Sequence, residues 1–123
     1  FPGWDATTSA LIEQVLMNLI LNAVQAIRGE GAVTVRSGKD DKWFTIEVED
    51  TGKGIPAVEQ GRVFERFYRG SGALESEGFG LGLSIAKRMV DVMSGEIGLR
   101  SSTGSGSTFW VRLRQAKTST PVA

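Results

Sequence analysis

Apolar side chains recur with the period of an α-helix near the start of the chain. At about 100° per residue they fill one continuous arc, wide enough for a helix packed against a sheet. The arc consists of Ile12, Val15, Leu16, Leu19, Ile20, Ala23, Ala26 and Ile27. Thr8 or Ser9 can cap the start of this helix, and Gly29 follows its end. We therefore predict a helix over residues 9–28, after an extended lead-in over residues 1–8.

Alternation of apolar and polar residues then indicates a pair of strands. Within residues 43–49, Phe44, Ile46 and Val48 share one face, and the polar side chains share the other. Residues 32–37 alternate in the same way, and a polar turn joins the two segments. This arrangement predicts an antiparallel hairpin.

The second half of the chain combines one more helix with two more strands. An apolar stripe from Leu83 to Met93 predicts a helix over residues 82–94, and residues 96–101 and 107–114 have the composition of strands. Residues 115–123 are a polar tail. We predict one α/β domain over the whole chain, a two-layer α/β sandwich in which both helices pack on one face of a mixed sheet.

Composition excludes several classes of function. The chain has 123 residues, 14 Lys and Arg, 14 Asp and Glu, no cysteine and no histidine. This balance gives no general cationic field, so we expect no binding to nucleic acid. The missing residue types exclude disulfides, thiolate or imidazole metal sites, a Ser-His-Asp triad and a phosphohistidine within this chain. Without a signal-peptide pattern or a run of about 18 apolar residues, we expect a cytoplasmic domain with no direct membrane contact, whose parent protein can itself be membrane-anchored.

Asp50 is the first candidate for ligand binding. It continues the apolar face of the 43–49 strand, where a carboxylate is costly unless a donor such as an amino group reaches it. Gly52 and Gly54 follow, and glycines there would let a flat ligand approach the backbone. The alternative interpretation is an Asp-x-Gly turn that binds no ligand.

Two further groups of residues also allow both a functional and a purely structural interpretation. Asn18 and Asn22 lie one turn apart at the edge of the apolar arc, either as ligand-binding amides or as satisfied asparagines at the edge of the core. Gly78, Gly80 and Gly82 lead into a predicted helix, whose N-terminus is a favourable site for an anion. The alternative for these glycines is a loose loop.

Taken in order, these motifs resemble the ATP-binding catalytic domain of bacterial sensor histidine kinases. The motifs are the Asn-x-x-x-Asn helix, Asp50-Thr51-Gly52-Lys53-Gly54, Phe64-Glu65-Arg66-Phe67, Gly78-Phe79-Gly80-Leu81-Gly82-Leu83 and Gly104-Ser105-Gly106-Ser107-Thr108-Phe109. Each motif alone is weak, but their order and spacing from about residue 11 to residue 113 are specific. The interval from Asp5 to Gln14 looks longer than in the family, so the first strand of that fold could be absent, truncated or rebuilt here.

The resemblance implies a role for each candidate residue. Asp50 would accept a hydrogen bond from the adenine amino group, in a purine pocket shaped by Gly52 and Gly54. Asn22 would ligate Mg²⁺, with Asn18 beside it. The candidate catalytic residues implied in this way are Asn18, Asn22 and Arg69.

The resemblance also places an ATP lid over residues 68–80. Phe64 and Phe67 would anchor its hinge. The phosphate cradle would consist of Gly78, Gly80, Leu81 and Gly82. Among the nearby cations we favour Arg69 for a phosphate contact, although single surface charges are typically just solvated. Ser107 stands where threonine is usual in the family, which keeps the hydroxyl group.

Whether such a domain hydrolyses ATP or transfers its phosphate depends on whether a side chain can act as a general base toward water. Gyrase-type and chaperone-type ATPases place a glutamate four residues before the Mg²⁺ asparagine, where this chain has Asn18. Glu13 lies nine residues before Asn22, on the opposite side of the helix. We therefore expect the site to bind ATP and await an external nucleophile. The resemblance implies that this nucleophile is a histidine on a separate dimerisation domain, which receives the γ-phosphate, with a response regulator as an indirect partner in two-component signalling. The alternatives are a nucleotide-binding module without catalysis, an ATPase-type switch, and a serine kinase of the anti-sigma type.

Overall fold

The computed structural model describes residues 4–65 and 82–114. Its elements in chain order are α1 (Ala6–Ala26), β1 (Val33–Lys39), β2 (Trp43–Asp50), α2 (Ala57–Gln60), α3 (Gly82–Val92), β3 (Glu96–Ser101) and β4 (Ser107–Arg114). Both predicted long helices and all four predicted strands are present. The lid predicted over residues 68–80 and the tail predicted over residues 115–123 lie outside the described residues.

The first helix begins earlier than the sequence predicts because a carboxylate caps it. Oδ1 of Asp5 accepts a hydrogen bond from the backbone N–H of Thr8 at 2.7 Å. This bond satisfies an N–H of the first turn, so α1 begins at Ala6 and the extended lead-in expected over residues 1–8 is shorter. The predicted hydroxyl cap is therefore wrong. At its other end α1 stops at Ala26, because the next residue is already extended.

The four strands form one sheet in the order β1-β2-β4-β3. Each neighbouring pair is antiparallel, so the prediction of a mixed sheet is wrong for the described strands. The connection through α3 does make β3 run parallel to β2. The β3–β4 hairpin then inserts β4 between them, so these two parallel strands are not neighbours. Within the described residues no strand precedes α1, as the unusual lead-in suggested.

Both long helices pack on the same face of the sheet, which we call the inner face. Their buried side chains and those of the central strands form one hydrophobic cluster. Its members from the helices and the sheet are Ile12, Val15, Leu19, Ala23, Ala86, Val90, Ile46, Val48, Phe109, Val111 and Leu113. The two-layer α/β sandwich is confirmed.

By length and composition alone, α1 could cross a membrane. The sequence analysis did not anticipate this property. Core helices of folded domains pass the same test, because a helix between a sheet and another helix is apolar around much of its circumference. Here α1 contacts both β2 and α3, so the core of the sandwich accounts for its apolar character.

The outer face of the sheet carries aromatic and charged side chains. The Arg112 guanidinium lies 4.4 Å from the ring centroid of Trp43 and 6.0 Å from that of Trp110. Trp110 is also pressed against its cross-strand partner Gly98, where a Cβ would meet the indole ring at 2.3 Å. These contacts cover the outer face without contributing to the inner one.

Candidate functional site

Polar side chains replace apolar ones at one end of the inner face. Asp50 of β2, Ser107 of β4 and Ser101 of β3 stand side by side there, since the register pairs Asp50 with Ser107 and Ser107 with Ser101. Asp50 is 2% exposed and Ser107 is 6% exposed. We call these three residues the polar row. Its position agrees with the prediction that Asp50 continues the apolar face of its strand.

The Asp50 carboxylate is buried with one oxygen unsatisfied. Its Oδ1 accepts a hydrogen bond from the backbone N–H of Gly52 at 2.8 Å. Its Oδ2 is buried and has no hydrogen-bond partner among the described residues. Burial raises the pKa of Asp50 above its usual value, although the backbone N–H groups of Gly52 and Ser107 oppose this rise. Because an unpaired buried acceptor is costly, this geometry favours a ligand that brings a hydrogen-bond donor to Oδ2.

Gly52 and Gly54 let the chain fold tightly beside Asp50. A Cβ at Gly52 would meet the backbone oxygen of Ala26 at 2.4 Å, which shows that the end of α1 lies against this turn. Gly54 has a φ of +77°, and a Cβ there would meet the backbone oxygen of Ser102 at 2.0 Å. Contacts within the chain therefore already require both glycines. Access for a flat ligand, the reason given by the sequence analysis, is an additional role that stays a prediction.

The first helix brings its two asparagines to the same edge of the site. Asn22 is half-buried and lies one turn before Ala26, whose carbonyl contacts the Gly52 turn. Asn18 lies one turn further back, and its Oδ1 accepts a hydrogen bond from Nε2 of Gln14 at 3.2 Å. The Nδ2 of Asn18 is buried without a partner in the part of the chain that the structure describes. Asn18 is therefore not a fully satisfied residue at the edge of the core.

Phe64 and Gly82 flank the segment that the structure does not describe. Phe64 meets Phe109 edge to face, with ring centroids 6.1 Å apart, and so joins the chain after α2 to the core. Gly82 is the first residue of α3, and among the described residues a Cβ there would meet nothing within 4 Å. The predicted site residues outside the described part are Phe67, Arg69, Gly78, Gly80 and Leu81. Their roles stay predictions.

Two residues beside the site escaped the sequence analysis. Ser101 and Gln60 hydrogen-bond to the backbone next to the Gly54 turn. Ser101 had a detectable signal, because it is in phase with Ile97 and Leu99 and puts a hydroxyl on the inner face. Gln60 had no such signal, since a single glutamine beside a glutamate looks like an ordinary surface residue.

Gly106, in the last glycine motif, allows the β3–β4 loop to approach the backbone of Asp50 closely. Its φ is +77°, and a Cβ there would meet the backbone oxygen of Asp50 at 2.1 Å. The β3–β4 loop therefore approaches the end of β2 closely at this glycine. Spacing alone gives no sign of such a contact between distant parts of the sequence.

The donors and acceptors of the site fit an adenine nucleotide with a magnesium ion. The unpaired Oδ2 of Asp50 suits an amino group such as that of adenine. Across residues 4–65 and 82–114, no group of three or more acidic, histidine or cysteine side chains could hold a metal. A single amide oxygen from Asn22 still suits Mg²⁺, which takes most of its ligands from phosphates and water.

Comparison with known proteins identifies the family. Residues 7–117 match the family described as histidine kinase-, DNA gyrase B-, and HSP90-like ATPase. The chain is 42% identical over 112 residues to the sensor histidine kinase AruS of Pseudomonas aeruginosa, covering 85% of this chain and 11% of AruS. It is 40% identical over 116 residues to the sensory/regulatory protein RpfC of Xanthomonas campestris, covering 88% of this chain and 16% of RpfC. The chain thus spans a small part of the length of these relatives.

Solved structures point to the same family. The mycobacterial sensor histidine kinase MprB has a TM-score of 0.78 and 30% identity, over 86% of this chain and 73% of the other. Full-length ShkA in complex with AMPPNP has a TM-score of 0.73 and 31% identity, over 84% of this chain and 21% of the other. The chain therefore belongs to the histidine kinase-, DNA gyrase B- and HSP90-like ATPase family, within which it is an ATP-binding domain of the sensor histidine kinase type.

Proposed function

We propose that this domain binds Mg-ATP and donates the γ-phosphate to a histidine on a separate dimerisation domain of its parent kinase. The observation that carries the proposal is the buried Oδ2 of Asp50, which lacks a hydrogen-bond partner among the described residues in a domain of an ATP-binding family. The adenine amino group supplies the missing donor. A response regulator would then receive the phosphoryl group from that histidine.

Asp50 and the residues around it would each contact a different part of the nucleotide. The Asp50 carboxylate fixes the position of the purine, while the backbone at Gly52 and Gly54 forms the wall beside it. The Asn22 amide oxygen would hold Mg²⁺, which neutralises phosphate charge when bound. Arg69 is our proposed contact for the γ-phosphate. The glycines of the phosphate cradle are proposed on the same basis, namely their match to the family motif.

The arrangement of α1 supports transfer to an external acceptor over hydrolysis. The position one turn before Asn22 is occupied by Asn18, an amide that cannot act as a general base. Glu13 is exposed and lies on the other side of the helix from Asn22. The 123-residue chain also contains no histidine, so it cannot phosphorylate itself on that residue type. The acceptor must come from elsewhere.

The relatives support a partner domain and a cytoplasmic location. The matched proteins are sensor kinases of which this domain covers 11% and 16%, which leaves room for a phosphoacceptor domain in such proteins. Full-length ShkA, which this chain resembles in fold and sequence, was solved in complex with AMPPNP, and this supports nucleotide binding by the present domain. Since ATP and response regulators are cytoplasmic, we place the domain in the cytoplasm.

The test is a reconstitution in trans. The purified domain is mixed with labelled ATP, Mg²⁺ and a panel of histidine-bearing dimerisation domains, and we expect label on the histidine of a matching partner and hardly any ATP hydrolysis without it. Asn22→Ala should lower transfer sharply, because the metal loses its protein ligand. Glu13→Ala is the matched control on the same helix and should transfer at the normal rate.

The opposite result has a clear signature. Robust ATP hydrolysis by the isolated chain, surviving Asn18→Ala but abolished by Glu13→Ala, would contradict the kinase proposal and favour an ATPase-type switch. Tight binding of Mg-ATP without transfer to any acceptor would favour a nucleotide-binding module without catalysis.

A further inference from the structure

Two loops meet beside Asp50 and are held together by several contacts. We call residues 51–56 and residues 102–106 the floor loops. The backbone N–H of Gly104 donates to the Lys53 oxygen at 2.7 Å. Gly54 lies against the Ser102 carbonyl, so closely that a side chain there would collide with it. The two loops therefore form one unit beside the polar row.

The Ser101 hydroxyl lies at the centre of this unit. It accepts a hydrogen bond from the backbone N–H of Ile55 at 2.8 Å and donates to the Gly106 oxygen at 3.0 Å. Its oxygen also lies 2.8 Å from Oγ of Ser107. Since a serine has a single hydroxyl proton, which goes to Gly106, the Ser107 hydroxyl must be the donor in that last bond. Ser101 thus connects both floor loops to the polar row.

Gln60 also hydrogen-bonds to this unit. Its Nε2 donates to the backbone oxygen of Ile55 at 2.8 Å and to the backbone oxygen of Ser101 at 3.0 Å. An amide nitrogen carries two protons, and both are used in these bonds. The side chain therefore bridges the backbone on either side of the loop contact.

We propose that Gln60 and Ser101 are positioning residues for nucleotide binding, which hold the floor loops in the shape that presents Asp50 to the purine. Neither residue has to touch the nucleotide. The inference rests on the proposed function, because it assumes that Asp50 binds adenine. It extends that function by assigning the affinity for the purine partly to two side chains outside the family motifs.

The environment of Gln60 argues for positioning over general stability. The short helix α2 that carries it has no buried residue, and Val58 on the same helix is 87% exposed. Removing the Gln60 amide therefore takes no apolar side chain from the hydrophobic core, to which Val63, three residues further on, still contributes. Its two bonds join the loop between Gly54 and α2, at Ile55, to the end of β3, at Ser101.

The experiment measures binding of ATP, ADP and AMP by calorimetry for paired variants. Gln60→Leu keeps the size of the side chain without its donors, and Ser101→Ala removes the hydroxyl. We expect each to weaken binding by about 2- to 10-fold, the range of one ordinary hydrogen bond. The factor should be the same for all three nucleotides, because they share the purine. Ser101→Thr keeps a hydroxyl and should restore most of the affinity.

The controls separate this inference from a loss of folding. Ser37→Ala changes an exposed serine on β1 and should bind all three nucleotides normally. Unchanged affinity in Gln60→Leu and Ser101→Ala would overturn the inference while leaving the proposed function intact. A loss confined to ATP, or one explained by the unfolded fraction in a parallel melting curve, would also overturn it. If Asp50→Asn binds ATP as well as the unaltered chain does, the proposed function fails and the inference fails with it.

Discussion

The inner face of the sheet has two parts, which differ in whether their buried atoms find packing or hydrogen-bond partners within the protein. In the larger part, apolar side chains such as Val48, Phe109 and Val111 are covered by the helices and are 1–2% exposed. In the polar row, Asp50 is just as buried, yet its Oδ2 has no hydrogen-bond partner in the described part of the chain. The same strands therefore supply well-packed apolar side chains and, a few residues further on, a buried carboxylate with an unpaired oxygen.

This difference teaches that burial alone does not identify the site. The apolar part finds its packing partners within the domain, whereas we propose that a ligand supplies the hydrogen-bond donor that the Asp50 carboxylate lacks. An unsatisfied buried polar group costs about 1–3 kcal/mol, which a ligand donor can offset on binding. Changes in the two parts should therefore separate two quantities, the free energy of unfolding and the affinity for ATP.

The largest effect is expected in the apolar part. Phe109→Ala should lower the free energy of unfolding by about 3–5 kcal/mol, because the ring is fully buried and leaves a cavity. Such a loss is a large fraction of the stability of a small domain, about 5–15 kcal/mol. Urea denaturation followed by circular dichroism measures it. Phe109→Leu keeps most of the apolar volume and should lose less, while a loss below about 1 kcal/mol in Phe109→Ala would refute the expectation.

The next effect belongs to the polar row and concerns binding. Asp50→Asn should weaken ATP binding by about 10- to 100-fold, the value of roughly 1.5–3 kcal/mol for a hydrogen bond to a charged acceptor. The amide can still accept from Gly52, so the free energy of unfolding at neutral pH should stay equal or rise. Calorimetry and urea denaturation measure the two quantities. Asp41→Asn, an exposed acid in the β1–β2 turn, is the control, and equal ATP affinity in both variants would end this explanation.

Acidification should move the two quantities in opposite directions. Because burial raises the pKa of Asp50, its contribution to stability is full below the pKa of the unfolded chain, about 3.9, and is lost as pH rises through the folded pKa. ATP binding needs the ionised carboxylate and should weaken as pH falls through that raised pKa, by at most about tenfold per pH unit. Calorimetry between neutral and acidic pH, with Asp50→Asn as the non-titrating reference, measures the effect. Parallel pH profiles for the two proteins would contradict it.

The smallest effect is expected away from both parts of the inner face. Lys87 and Asp91 form an exposed ion pair on α3, with Nζ 2.7 Å from Oδ1. Lys87→Met should change the free energy of unfolding by less than about 0.5 kcal/mol, as is usual for exposed pairs one helical turn apart. ATP affinity should hardly change, since we assign phosphate contact to Arg69. A tenfold loss of affinity measured by calorimetry would instead place Lys87 at the phosphates.

Local periodicity accounts for what the sequence predicted well. Alternation along β2 placed Asp50 on the buried face, and the helical period of α1 placed Ile12 and Leu19 in the core. Both inferences depend on residues within a few positions of one another, so the geometry of one element is sufficient.

The errors come from interactions that periodicity does not describe. Asp5 competed with the hydroxyls of Thr8 and Ser9 for the helix cap, and its better-placed carboxylate determined the start of α1. The insertion of β4 between β2 and β3 depends on strand pairing between distant segments. The bond from Gln60 to Ser101 likewise depends on tertiary structure, because the two residues lie 41 positions apart.

The positions of the tryptophans determine which changes in this domain intrinsic fluorescence can detect. The chain has three tryptophans, of which Trp43 and Trp110 stand on the outer face and Trp4 packs against Phe44 at 5.1 Å. Phe44 lies six residues along β2 from Asp50, or about 20 Å. Indole emission responds to its immediate surroundings, so intrinsic fluorescence should follow unfolding and remain insensitive to nucleotide. An optical signal for occupancy would have to come from a labelled nucleotide.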